Sequence, residues 1–176
     1  MYLLDTNIIS QTRRPDKADK RVTAWLAHTD SNNLYTSAVV MMELERGILG
    51  IERKDSQQGT ILRQWLNDVV KPAFAGRVLP IDEATAAICA KLHIPDKAPD
   101  NDAWIAATAI QHNYTLITRN TADFERTGAK LLNPFEYAGC RDLNVEIMGG
   151  NQRGIQAGIQ ASNQELMVTE FGYQAS

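Results

Sequence analysis

Short apolar, partly β-branched runs alternate with longer stretches of helical periodicity, and that alternation leaves few folds open. Tyr2 to Leu4, Leu34 to Ala38, Val78 to Ile81, Thr115 to Thr118 and residues 129 to 132 read as strands. Between them, Lys17 to Thr29 repeats its apolar residues at Val22, Trp25 and Leu26, and Val39 to Glu52 reads as a helix. A further helix is predicted over Gln57 to Phe74, carried by Ile61, Leu62, Trp65, Leu66, Val69 and Val70. Asp82 starts the next, with Glu83 favourable in its first turn, and Asp102 to Gln111 is an Ala-rich helix. The two prolines of "IPDKAPD" make that stretch a loop. Strands and helices in alternation predict an α/β sandwich built on a mostly parallel sheet.

Composition excludes several classes. A chain of 176 residues with 44% hydrophobic and 22% charged residues fits one globular domain. No apolar run approaches the roughly 20 residues of a membrane helix, and residues 1 to 9 lack the positive charge of a signal peptide, so no membrane is expected. Two cysteines, Cys89 and Cys140, are too few for a disulfide framework and fit a reducing cytoplasm. A net charge of −3 argues against holding nucleic acid by overall electropositivity, so any such substrate must be gripped locally. After about Gly139 the chain turns rich in Gly, Gln and Asn, and residues 140–176 read as a poorly ordered tail.

The opening "MYLLDTNIIS" drives a buried strand straight into Asp5. A carboxylate there costs several kcal/mol in desolvation unless something answers it. In open α/β sheets, acids at the carboxyl ends of strands converge even when distant in sequence. Glu43 follows the second strand within "TSAVVMMELERG", with Gly47 and Gly50 at i+4 and i+7 read as leaving its flank open to close approach. Asp102 opens the helix of "NDAWIAATA", and Asn120 and Asp123 follow the fourth strand in "TRNTADF". Taken singly, most have ordinary explanations. Glu43 suits a solvated helix face, Asp102 a helix start capped by Asn101 or Asp100, and Asn120 with Asp123 a capping box.

Several carboxylates converging without a cation would repel one another and raise their own pKa values. All the candidate ligands are oxygens, and His28, His93 and His112 read as unpaired with one another or with cysteine, so Mg²⁺ or Mn²⁺ fits better than Zn²⁺. The chemistry expected of such a site is attack of activated water on a phosphodiester, with the cation stabilising the leaving oxygen.

Together "LLDTNIIS", "TSAVVMMELERG", "NDAWIAATA" and "LITRNTADFE" resemble the ordered motifs of PIN-domain ribonucleases, specifically VapC-type toxins, over about residues 1 to 137. The resemblance implies a three-layer α/β/α PIN-like nuclease domain over residues 1–139. It implies that Asp5, Glu43 and Asp102 bind metal, that Thr6 supports the same site, and that Asn120 stands where the family often has a further Asp, leaving Asp123 as the remaining carboxylate of the catalytic set. It implies a Mg²⁺-dependent endoribonuclease, with Mn²⁺ able to substitute, that acts on RNA in the cytoplasm, inhibits translation, is held by a cognate antitoxin and forms a homodimer. Two rivals stand beside it. A haloacid-dehalogenase-type phosphotransferase would use Asp5 as nucleophile but wants an Asp where Asn7 stands; a non-catalytic binding module on the same fold would have no need of the intact acids.

Overall fold

The computed structural model describes residues 1–95 and 99–138. The tail read from residue 140 onward lies outside them. Five strands form one parallel sheet in the order β3-β2-β1-β4-β5: β1 (Tyr2–Leu4), β2 (Leu34–Ser37), β3 (Val78–Leu79), β4 (Thr115–Ile117) and β5 (Lys130–Leu132). Helices flank the sheet in the three-layer arrangement expected of the sequence. They are α1 (Thr6–Ile9), α2 (Lys20–His28), α3 (Ala38–Glu52), α4 (Ser56–Gln64), α5 (Lys71–Ala73), α6 (Glu83–Leu92), α7 (Asp100–His112) and α8 (Thr121–Phe124).

Local chemistry sets most of the boundaries. Ser37 Oγ accepts from Val40 N at 3.2 Å and starts α3, and Asp55 accepts from Gln58 N at 3.0 Å and starts α4. Asp82 and Thr85 form a reciprocal capping box at the start of α6. Asn113, at φ 54, closes α7 in the left-handed conformation that Asn tolerates. Three expected boundaries shift. The helix predicted over Lys17 to Thr29 begins only at Lys20, because Asp19 caps it by accepting from Arg21 N. The helix predicted over Gln57 to Phe74 is α4, a π-helical turn at Trp65–Val70, and α5, which ends just beyond Pro72. Helix α7 starts at Asp100, with Pro99 at the N-cap and no side-chain cap, so neither Asn101 nor Asp100 caps it and Asp102 lies inside its first turn.

The core runs through the middle of the sheet. Leu3, Ile8, Leu34, Val40, Ile105, Ala106, Leu116 and Ile117 are all buried, and each fully buried branched side chain contributes about 1.5–3 kcal/mol. The alanines of α7 let that helix approach closely, which brings its first turn toward the sheet's carboxyl edge. Helices α3 and α4 approach as tightly at Gly59, where an added Cβ would lie 2.7 Å from the Glu52 Cα. Arg63 on α4 locks the same pair by donating to Glu52 at 2.9 Å and to Glu45. Gly59→Ala is therefore expected to cost about 1–3 kcal/mol and lower the melting temperature by several degrees, with α3 and α4 forced apart. An unchanged melting curve would mean that the two helices separate freely.

Candidate active site

The strand order places β1 between β2 and β4, with successive strands running outward in opposite directions, so the crevice outside the carboxyl ends of β1 and β4 is the topological switch point of the sheet. Asp5 stands there. Its backbone N–H extends the β1–β4 ladder by donating to Ile117 O at 3.0 Å, which aims the next side chains at the edge. Asp5 is buried, 7% exposed, yet its carboxylate is not orphaned. Oδ1 accepts from Thr6 N at 2.7 Å, and Oδ2 accepts from Asn7 Nδ2 at 2.6 Å and from Thr118 Oγ1 at 2.7 Å. Burial pushes its pKa up, opposed by the Thr118 and Thr6 hydrogen bonds, and the charge of Glu43 raises it further.

Glu43 comes from the second turn of α3 and is half-buried, not a solvated face. Oε2 accepts from Thr6 Oγ1 at 2.5 Å and Oε1 from Asn101 Nδ2 at 2.7 Å. Thr6 thus supports the site through both its peptide N–H, on Asp5, and its hydroxyl, on Glu43. The flank at Gly47 and Gly50 is open as expected, a Cβ added at either meeting nothing within 4 Å, but no group of the described residues approaches it. Glu43 is held by Thr6 and Asn101 instead.

Asp102, half-buried in the first turn of α7, has a pKa pushed up to about 6 by desolvation and then by the charges of Asp5, Asp123 and Glu43. The four acids therefore share one electrostatic site. Asp123 itself is exposed, in the first turn of α8. Asn120 is exposed too, and its backbone N–H donates to Thr118 Oγ1 at 3.1 Å. The capping box expected of Asn120 and Asp123 does not form, since the Asn120 side chain makes no cap hydrogen bond. That leaves both side chains free of a helix-capping role.

Three residues that the sequence reading did not weigh as site residues organise this one. Thr118 donates to Asp5 and accepts from Asn7 Nδ2 at 3.1 Å as well as from Asn120 N, tying β1 to the turn after β4. Asn7 adds a bond from Arg119 N to its Oδ1 at 3.1 Å. Asn101 fixes Glu43. A hydroxyl and an amide adjoining strand-end acids were the available signal.

Cys89 on α6 and His93, the residue that closes that helix, are unpaired in the sequence reading but lie one turn apart with Sγ and Nε2 3.8 Å from each other. Two soft donors do not make a zinc site, and among the described residues no three His, Cys, Asp or Glu side chains close into a ready-made metal cage. The acids at the switch point are an open set of hard oxygens. Asp5 Oδ2 spends both lone-pair directions on Asn7 and Thr118, which leaves Oδ1, with one direction taken by Thr6 N, as the oxygen able to meet a cation. Mutual repulsion among ionised oxygen donors fits Mg²⁺ or Mn²⁺, which retain several waters and need few protein ligands.

Residues 2–130 match the PIN domain family. The chain belongs to that family. The PIN domain is 37% identical over 140 residues to Toxin FitB of Neisseria gonorrhoeae, covering 77% of this chain and 99% of that one. It is 36% identical over 143 residues to VapC ribonuclease Y4jK of Sinorhizobium fredii, covering 78% of this chain and 100% of the relative. The crystal structure of FitAcB from Neisseria gonorrhoeae superposes with a TM-score of 0.70 at 36% identity, covering 77% of this chain and 99% of that one. These relatives place the PIN domain in the VapC/FitB toxin type, with ribonucleases among its homologues.

Proposed function

We propose that this PIN domain is a Mg²⁺-dependent endoribonuclease, the toxin of a toxin–antitoxin pair, which arrests translation by cutting RNA. The observation that carries the reading is the gathering of Asp5, Glu43, Asp102 and Asp123 at the switch point, where burial first and then the charges of the other three raise the pKa of Asp102 to about 6. Asp5 and Asp102 would hold the cation, with Glu43 oriented beside it by Thr6 and Asn101. When bound, Mg²⁺ would supply positive charge for the scissile phosphate and ease loss of a proton from the water that attacks it. The protein's part is to fix its oxygens before RNA arrives. Thr118 and Asn7 lock the Asp5 carboxylate, and Thr6 couples Asp5 to Glu43, so that little reorganisation remains for the reaction.

FitAcB and FitAB bound to the IR36 DNA fragment are the complexes most relevant to partners, the latter superposing with a TM-score of 0.69 at 35% identity. By analogy this chain would be held by its own antitoxin, whose Arg or Lys inserted among the acids would neutralise them. Homodimer formation and work in the cytoplasm complete the proposal and rest on the family resemblance. Production of the chain without a partner is expected to stop growth, and Asp102→Asn to abolish the effect. Normal growth with abundant soluble chain would overturn the toxin reading. A phosphotransferase reading is disfavoured by Asn7, whose amide is spent on Asp5, Thr118 and Arg119 at the place that chemistry needs a second acid.

The fourth corner of the site separates Asn120 from Asp123. Asp123 is exposed and acts on Asp102 through charge, so Asp123→Asn is expected to reduce cleavage by about tenfold or less, well short of Asp102→Asn. Asn120→Asp should tighten Mn²⁺ binding, read by calorimetry, because it adds charge to the same edge. Two tight ions in the free protein, or an Asp123→Asn variant as inactive as Asp102→Asn, would instead make Asp123 a direct ligand.

A further inference from the structure

A chain of net charge −3 that gathers four acids at one edge repels the polyanion it is proposed to cut, so beyond the bound cation a basic side chain near that edge would help to hold the flanking phosphates. Several cations are engaged elsewhere. Arg63 is spent on Glu45 and Glu52, Arg21 lies 3.6 Å from Asp19, and Lys130 donates to Asn113 at 2.9 Å. Arg119 differs from them in three respects. It follows Thr118, whose hydroxyl binds Asp5, so its backbone leaves the sheet at the switch point. Its peptide N–H is held by Asn7 Oδ1 at 3.1 Å, which fixes where the side chain starts. Its guanidinium carbon sits 5.2 Å from the centre of the Phe135 ring, and no carboxylate pairs with it among the described residues.

From this geometry we infer that Arg119, its backbone anchored at the switch point and its guanidinium rested on Phe135, is the residue that grips the RNA backbone near the phosphate being cut. A guanidinium resting on an aromatic face keeps its N–H edge for hydrogen bonding, and it loses less freedom on meeting a phosphate than an unsupported arginine would. A carboxylate partner would have cancelled the charge, whereas the ring holds it in place without neutralising it. The same Asn7 that orders Asp5 also anchors Arg119, so the cutting and gripping groups are set by one side chain. Arg13 and Arg14, also exposed, follow α1 and stack on no ring among the described residues.

The inference rests on the ribonuclease reading, and the experiment separates the two. Binding of a short fluorescein-labelled single-stranded RNA of mixed sequence would be followed by anisotropy in Ca²⁺ across a salt series, with gels confirming that the probe stays intact. Cleavage of the same RNA would be followed in Mg²⁺. Arg119→Ala is expected to weaken binding about tenfold and to lower the slope of log affinity against log salt by about 0.7, the share of one phosphate contact on a single strand. Arg119→Lys should restore the slope while recovering only part of the affinity, because it keeps the charge and loses the flat stacked fork. Arg53→Ala, an exposed cation about 20 Å along α3 from its start, should change neither. If the wild-type chain binds and cuts RNA while Arg119→Ala matches it in affinity and slope, the grip is overturned and the nuclease stands. If the wild-type chain neither binds nor cuts, the nuclease reading falls and takes this one with it.

Discussion

Asn in place of Asp102 is expected to abolish RNA cleavage, by on the order of a thousandfold, while raising the melting temperature of the metal-free protein at neutral pH. The first effect follows from removing a charged oxygen that would meet the cation. The second follows from the burial of Asp102 and from repulsion by the neighbouring acids. The folded-state pKa of about 6 lies above the ordinary 3.8, so the folded chain binds this proton more tightly than the unfolded chain does. Ionisation of Asp102 is therefore a penalty on folding, absent at acid pH below the ordinary value and fully present above about 6. Because the side chain is only half-buried, solvent screening leaves the penalty on the order of 1 kcal/mol. Melting curves without metal at pH 7.5 would read it, with wild type gaining on the variant as pH falls. A variant that melts lower than wild type at neutral pH would show that Asp102 holds structure instead.

Asp5→Asn should be as inactive but less stable, by about 1–3 kcal/mol. Removing one of several repelling charges argues for a gain. The hydrogen bonds reverse it. Asp5 Oδ2 accepts from Asn7 Nδ2 and Thr118 Oγ1, and Oδ1 accepts from Thr6 N, so either orientation of an amide at this buried position sets a donor against a donor. The loss would appear as a lower melting temperature at every pH where Asp5 is ionised. An Asp5→Asn protein that melts at or above wild type would show that the charge, and not the acceptor geometry, dominates there.

How far the site could be read ahead of the structure depended on range. The strands were legible because each is an apolar run ending abruptly, and Asp5, Glu43 and Asp102 were legible because each adjoins such an element in a motif. What binds them was not. Thr118 lies more than a hundred residues from Asp5, and only parallel pairing of β1 with β4 brings its hydroxyl to that carboxylate. Asn101 looked like a helix cap beside a loop, yet Pro99 takes the cap position and releases its amide to Glu43. The flank at Gly47 and Gly50 is open as read, but α3 leaves it to solvent and the close approach it suggested is not made among the described residues. The π-helical turn at Trp65–Val70 was invisible because its apolar spacing is nearly that of the helix around it.

The central claim is that these acids cut RNA through a divalent cation. Purified chain, freed of any partner and treated with EDTA, would be given labelled RNA while Mg²⁺ is titrated back. The account predicts no cleavage in EDTA, cleavage that rises with Mg²⁺ or Mn²⁺ in the wild-type chain, and none at any concentration in Asp102→Asn. Equal cleavage in EDTA, or an Asp102→Asn protein that recovers full activity as Mg²⁺ is raised, would contradict it.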